Sequence, residues 1–115
     1  MQTPPLIPAP VDEAPIRAEI RARDALRREA GLPRLDVEAE VAKAVATARL
    51  AAYHEFANAH AGERAAIRDA VITEHRDRGG ATFPNGWAGH MALGHEVARR
   101  FTRHLRERYG VSPPG

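Results

Sequence analysis

Six histidines, His54, His60, His75, His90, His95 and His104, stand in a chain of 115 residues, and imidazole is the commonest metal-binding side chain. A metal site built on one helix needs ligands three or four residues apart on one face, as in His-x-x-x-His or Glu-x-x-His. Neither pattern occurs: His90 and His95 are five apart, and His54 and His60 are six apart. A site gathered from different helices, for instance from His54, Glu55, His75 and His90, is the remaining metal reading. Histidines at surfaces and helix ends are the commoner outcome, so no metal and no cofactor is expected.

Glu55 raises a separate question. Helical periodicity places it among Ala48, Ala52 and Ala59, so its carboxylate is expected to be a buried charge in a packed face. A buried carboxylate must pair or protonate. An ion pair with an Arg or His of a neighbouring helix, or a place at the core edge, is a plainer reading than catalysis, because no second carboxylate at related spacing completes an acid and base pair. Nucleophilic catalysis finds as little support. The one serine, Ser112, lies in a proline-rich tail, and Thr47, Thr73, Thr82 and Thr102 have no accompanying motif. Gly79, Gly80, Asn85 and Gly86 precede a predicted helix whose first amides could hold an anion. No Walker lysine or Gly-x-Gly-x-x-Gly pattern accompanies them, so a turn is their expected role and no catalytic residue is assigned.

Net charge is +2, from 17 cations and 15 anions, and the excess lies late in the chain, where residues 87–115 hold five arginines against two glutamates. Arg99, Arg103 and Arg106 recur at helical spacing opposite an apolar stripe and form a basic ridge, flanked by Arg100 and Arg108. Such a ridge suits phosphates, an acidic protein face or plain hydration. Glu96 and Glu107 dilute it, and neither interleaved aromatics nor a helix-turn-helix signature accompanies it. A solvated face is the plainest reading, then a protein partner, then nucleic acid.

Helices must position all of these groups. The chain holds 23 alanines against 27 residues of Val, Ile, Leu, Met, Phe, Trp and Tyr together. Alanine is the best helix former and adds little to a sheet surface, so closely packed helices are expected. A large β-sandwich, a doubly wound nucleotide-binding fold and a transmembrane span are excluded. The absence of cysteine excludes disulfides, thiolate zinc sites and a cysteine nucleophile.

Residues 1–11 hold four of the nine prolines and predict an extended arm. A first helix is expected from near Asp12 to Gly31, with Pro15 tolerated in its first turn. A second opens on Asp36 as N-cap and runs to about His60, where Gly62 is expected to supply a left-handed stop. Val37, Val41, Val45 and Phe56 mark one face, while Ala42, Ala46, Leu50, Tyr53 and Ala57 make the other apolar too, the pattern of a central helix. A third helix over Glu63–Arg78 turns Ile67, Ala70 and Val71 inward. A fourth, capped by Asn85 and ended by Gly110, carries Trp87, Met91, Gly94, Ala98, Phe101, Leu105 and Tyr109 as its stripe. The core is expected to pair the second helix with the fourth.

The prediction is therefore an all-α fold, a small helical bundle of about four helices with a central Ala-rich second helix and a Pro-rich extended N-terminal arm. Residues 1–11 are the arm, 12–110 a single helical domain and 111–115 a short tail. The first helix is short of burial, with Ile16, Ile20 and Leu26 spread among Arg17, Arg21, Arg23, Arg27 and Arg28. The expected function is that of a non-enzymatic interaction or assembly protein, a small subunit or adaptor that docks through the arm and first helix. Ile16, Ile20, Arg23, Leu26 and Arg27 are the expected partner-binding residues, and the partner is another protein or a second copy. The alternative is a nucleic-acid-binding accessory protein using Arg99, Arg103 and Arg106. The first residues show no cationic segment followed by an apolar run, so a cytoplasmic protein without membrane partners is expected.

Overall fold

The computed structural model describes residues 3–77 and 87–114, and the side chains of 3–76 and 91–114. The fold is all-α. Among the described residues the elements are α1 (Glu13–Glu29), α2 (Val37–Ala59), α3 (Ala61–Asp77) and α4 (Trp87–Tyr109), with no strand. The expected glycine turn over 79–86, the Asn85 cap and Arg78 lie outside the described residues.

Local chemistry sets the helix ends. Asp12 caps α1 by accepting from the Ala14 amide at 3.1 Å, and Asp36 caps α2 by accepting from Ala39 at 3.1 Å. α1 closes in a Schellman turn: Gly31, at φ 73°, donates to the Arg28 carbonyl at 3.1 Å, and Leu32 donates to Arg27 at 2.9 Å. α4 closes at Gly110, φ 70°, whose amide reaches the Arg106 carbonyl at 2.9 Å.

The junction of α2 and α3 departs from expectation. Gly62 is not left-handed and lies in the first turn of α3, which begins at Ala61 rather than Glu63. His60 makes the turn instead. Its amide donates to the Ala57 carbonyl at 3.1 Å, tightening the end of α2, and its own carbonyl accepts from Glu63 at 3.0 Å and Arg64 at 3.3 Å to start α3.

The chain groups into two compact units. The N-terminal unit is Pro8–Glu55 with Pro113–Gly115, and the C-terminal unit is Phe56–Ser112 together with the start of the chain as far as Ile7. In the N-terminal unit Ile20, Val41 and Val45 form a buried cluster, with Val11, Ile16, Val37 and Ala44 packed around it. The apolar seam of α1 thus closes on α2. Arg17 bonds both Glu13 and Glu38 at the surface of this pair.

Asp24, only 4% exposed, fastens the link between these helices. It accepts from the Leu35 amide at 2.9 Å and from Arg34 at 3.0 Å. The Leu35 amide first, and Arg34 second, outweigh the cost of burial and hold its carboxyl below the usual range. Asp24→Ala is expected to leave the Leu35 amide without its acceptor and to speed its hydrogen exchange roughly tenfold. Unchanged exchange at Leu35 would show that this bond does not close the link.

Among the described residues of the C-terminal unit the buried side chains are Phe56, His60, Val71, Val97, Phe101, Leu105 and Val111, and α3 and α4 are the described helices most extensively in contact. Four expectations are corrected here. Of the proposed α4 stripe, Phe101 and Leu105 are buried and Tyr109 is half-buried, but Met91 is 41% exposed and Gly94 and Ala98 are also exposed. Val97 takes the inward place, because a valine gains more from burial than a glycine or alanine has to gain. Ala70 is exposed rather than inward, and α2 exposes Ala42, Ala46 and Leu50 instead of burying its whole circumference. Val111, assigned to the tail, is buried and donates to the Leu105 carbonyl at 3.4 Å.

Candidate functional site

Glu63 sits in the first turn of α3, where the amides and helix dipole favour an anion. Three side chains converge on it within the C-terminal unit. His60 Nδ1 meets Oε2, His104 Nε2 meets Oε1 at 2.7 Å, and the Tyr109 hydroxyl lies 2.9 Å from both oxygens. Arg108 Nε stands 3.7 Å from Oε1 and its guanidinium lies over the Tyr109 ring. The capping residue and Glu63 are three apart, the spacing of a capping box, but Glu63 reaches the His60 ring rather than its amide.

Partial burial by itself would raise the Glu63 pKa. The bonds from His104, His60 and Tyr109 outweigh it, with the charge of His60 assisting, and bring the carboxyl down to about 2. Glu63 is thus a fixed anion tying the first turn of α3 to the end of α2 and the last turns of α4.

The His60 ring belongs to a small cluster of three mutually touching rings. It lies 4.6 Å from the Phe56 ring and 4.6 Å from the Tyr109 ring, and Phe56 meets Tyr109 edge-on at 5.8 Å and 89°. Its Nε2 lies 2.7 Å from the carbonyl oxygen of Pro5 in the N-terminal arm. A carboxylate at Nδ1 is how general-base histidines are oriented. Here, however, Nε2 faces a carbonyl instead of a nucleophile, and His60 is only 3% exposed. The arrangement clamps elements together and leaves Glu63 no free oxygen with which to act as a base.

The residues singled out from sequence are distributed elsewhere. Glu55 is exposed, contrary to the expected buried charge. The buried residues of α2 are Val41, Val45, Tyr53 and Phe56; Ala48 and Ala52 are only half-buried, and Glu55 falls at the exposed edge of that arc. Ile20 is buried and Ile16 half-buried against their own chain, Arg23 pairs with Glu40 at 3.6 Å, and Arg27 Nε donates to the Pro33 carbonyl at 2.9 Å. Of the five expected partner-binding residues only Leu26, at 66%, presents a largely exposed apolar side chain. Arg99, Arg103 and Arg106 are all exposed, as a ridge requires. Arg99 bonds Glu96, and the flanking Arg100 bonds Glu96 and Glu74.

His54 is exposed and belongs with Glu55 to the N-terminal unit, whereas His75 belongs to the other, and the His90 side chain lies outside the described residues. Among the described residues no three His, Asp or Glu side chains are placed to hold a metal ion. The Glu63 cluster was not anticipated. Its one local signal is the His60-x-x-Glu63 spacing at a predicted helix junction; His104 and Tyr109 arrive from more than forty positions away. No protein-family model, curated protein or solved structure matches the chain.

Proposed function

We propose that this chain is a non-enzymatic interaction or assembly protein, a small subunit or adaptor that docks on a protein partner or a second copy through its N-terminal arm and first helix. One observation carries the reading: of the six large apolar side chains that are exposed among the described residues, four, Leu6, Ile7, Leu26 and Leu32, fall within the first 32 positions. Leu6 and Ile7 lie side by side in the arm at 68% and 66% exposure. Leu26 and Leu32 flank the Schellman turn of α1, a pair that this motif commonly packs together, yet they remain 66% and 50% exposed. Covering such a side chain contributes on the order of 1.5–3 kcal/mol, so a partner has much to gain at either place. In this reading the protein is cytoplasmic and uses no cofactor. No helix among the described residues is long and apolar enough to cross a membrane.

Light scattering on the full chain tests the proposal. A mass that rises above 12.6 kDa with concentration, and falls back in Leu6→Asp or Leu26→Asp, is expected. A strict monomer whose residues 3–32 are already protected from exchange without any partner would sink it. The second reading, a nucleic-acid-binding accessory protein, draws on Arg103 and Arg106, which are exposed and have no carboxylate partner among the described residues. The pairing of Arg99 and Arg100 with Glu96 makes it the weaker one.

A further inference from the structure

We infer that His60 is a proton-dependent receptor for the N-terminal arm: with both ring nitrogens protonated it holds the Pro5 carbonyl, and on losing one proton it lets the arm go. Both oxygens that meet the ring, one from the Glu63 carboxylate and one from the Pro5 carbonyl, can only accept hydrogen bonds. Both bonds therefore exist together only in the imidazolium form. A neutral ring keeps one N–H and turns a lone pair toward the other oxygen. The ring has no easy escape, being 3% exposed and in tilted contact with both Phe56 and Tyr109.

The energetics decide which bond is lost. A hydrogen bond to an ionised carboxylate is roughly twice as strong as one to a neutral carbonyl. Glu63 is ionised across the whole neutral range, since its carboxyl is held at about 2. The remaining proton stays on Nδ1, and Nε2 then opposes the Pro5 oxygen with a lone pair. Among the described residues no other hydrogen bond joins residues 3–7 to the rest of the chain, so losing this one frees that stretch of the arm, while Val11 stays packed on its cluster.

Groups from three elements bear on the ring. Phe56 of α2 is apolar, Glu63 of α3 bonds it directly, and Tyr109 of α4 meets it at a tilt while sharing Glu63 with His104 and Arg108. The titration therefore belongs to the cluster, and the two histidines have to be separated by experiment. The inference rests on the docking proposal only for its use. A held arm presents Leu6 and Ile7 on a fixed backbone, which reduces the ordering cost to a partner; a released arm presents them on a loose tail.

The chain has no cysteine, so Leu6→Cys accepts a single nitroxide label beside the tether at an exposed position. Spin-label mobility is followed from pH 5 to 8.5 alongside the ring ¹⁵N shifts of His60 and His104. The expected result is an immobile arm at low pH and a mobile fraction that grows about tenfold per pH unit below the midpoint, coincident with His60 and not with His104. In His60→Gln, whose amide has one donor group, the label is expected to be mobile throughout. An arm equally immobile at both ends of the range, or a transition that follows His104, overturns the inference. If the Gln variant does not fold, the paired titrations of the chain with His60 in place carry the test. A pH-dependent arm with no effect of Leu6→Asp or Leu26→Asp on mass would leave the tether standing and remove the docking role; a pH-independent arm would do the reverse.

Discussion

Phe56→Ala is expected to destabilise the protein by about 3–5 kcal/mol, the range for deleting a fully buried aromatic ring that leaves a cavity behind. Phe56 is 2% exposed, the most deeply buried aromatic side chain among the described residues of the C-terminal unit. It packs on the His60 ring and meets Tyr109 edge-on, the arrangement that adds about 0.5–1.5 kcal/mol to an aromatic pair beyond burial alone. Small domains are stable by about 5–15 kcal/mol, so the loss is a large share of the total. Urea unfolding followed by circular dichroism gives the measurement. Phe56→Leu keeps most of the volume and is expected to retain the larger part of the stability. If the Ala variant stayed within about 1 kcal/mol of the parent, the packing around His60 would be looser than the ring distances imply.

Glu63→Gln is expected to cost on the order of 3 kcal/mol at pH 7, and the cost is expected to fade in acid. The carboxyl lies at about 2 in the folded protein against an ordinary 4.5. A depressed carboxylate stabilises the fold above its unfolded value and loses that contribution as pH falls through the folded one. By this linkage the difference between parent and variant drops to less than about half by about pH 3 and nearly closes by about pH 2. Comparing the two in parallel at each pH cancels the other acidic groups that titrate in the same range. The substituted amide would keep a carbonyl to accept from Tyr109 or His104 but would turn an amide donor or a neutral oxygen toward His60. A gap of equal size at both ends of that pH range would mean that shape rather than charge is what Glu63 supplies.

These effects centre on residues that the sequence made prominent to very different degrees. The histidine count points to metal chemistry, and helical periodicity points to Glu55. Glu63, one glutamate among several at the start of a helix, carried no such mark. Its role depends on His104 and Tyr109, which share no local pattern with it, and on the turn at His60, where Gly62 looked the natural terminator. The wheel misled at Glu55 because alanine is nearly neutral to burial: a stripe of methyl groups does not say which side a helix turns inward. In α4 the same weakness made Gly94 and Ala98 look like core when Val97 was the residue with area to bury.

What the sequence determined by itself is what hydrogen bonds within a few residues can enforce. Asp12 and Asp36 start helices, Gly31 and Gly110 end them, and alanine content makes them helices at all, because capping, left-handed glycine and helix propensity are local properties. Only the tertiary structure decided which faces close, that Ile16 and Ile20 turn onto α2, and that an arm its prolines mark only as extended is fastened through Pro5 to a buried imidazole. Those outcomes depend on which large side chains and which donors and acceptors meet across long separations, where burial and hydrogen-bond satisfaction are settled by the whole fold rather than by any segment of it.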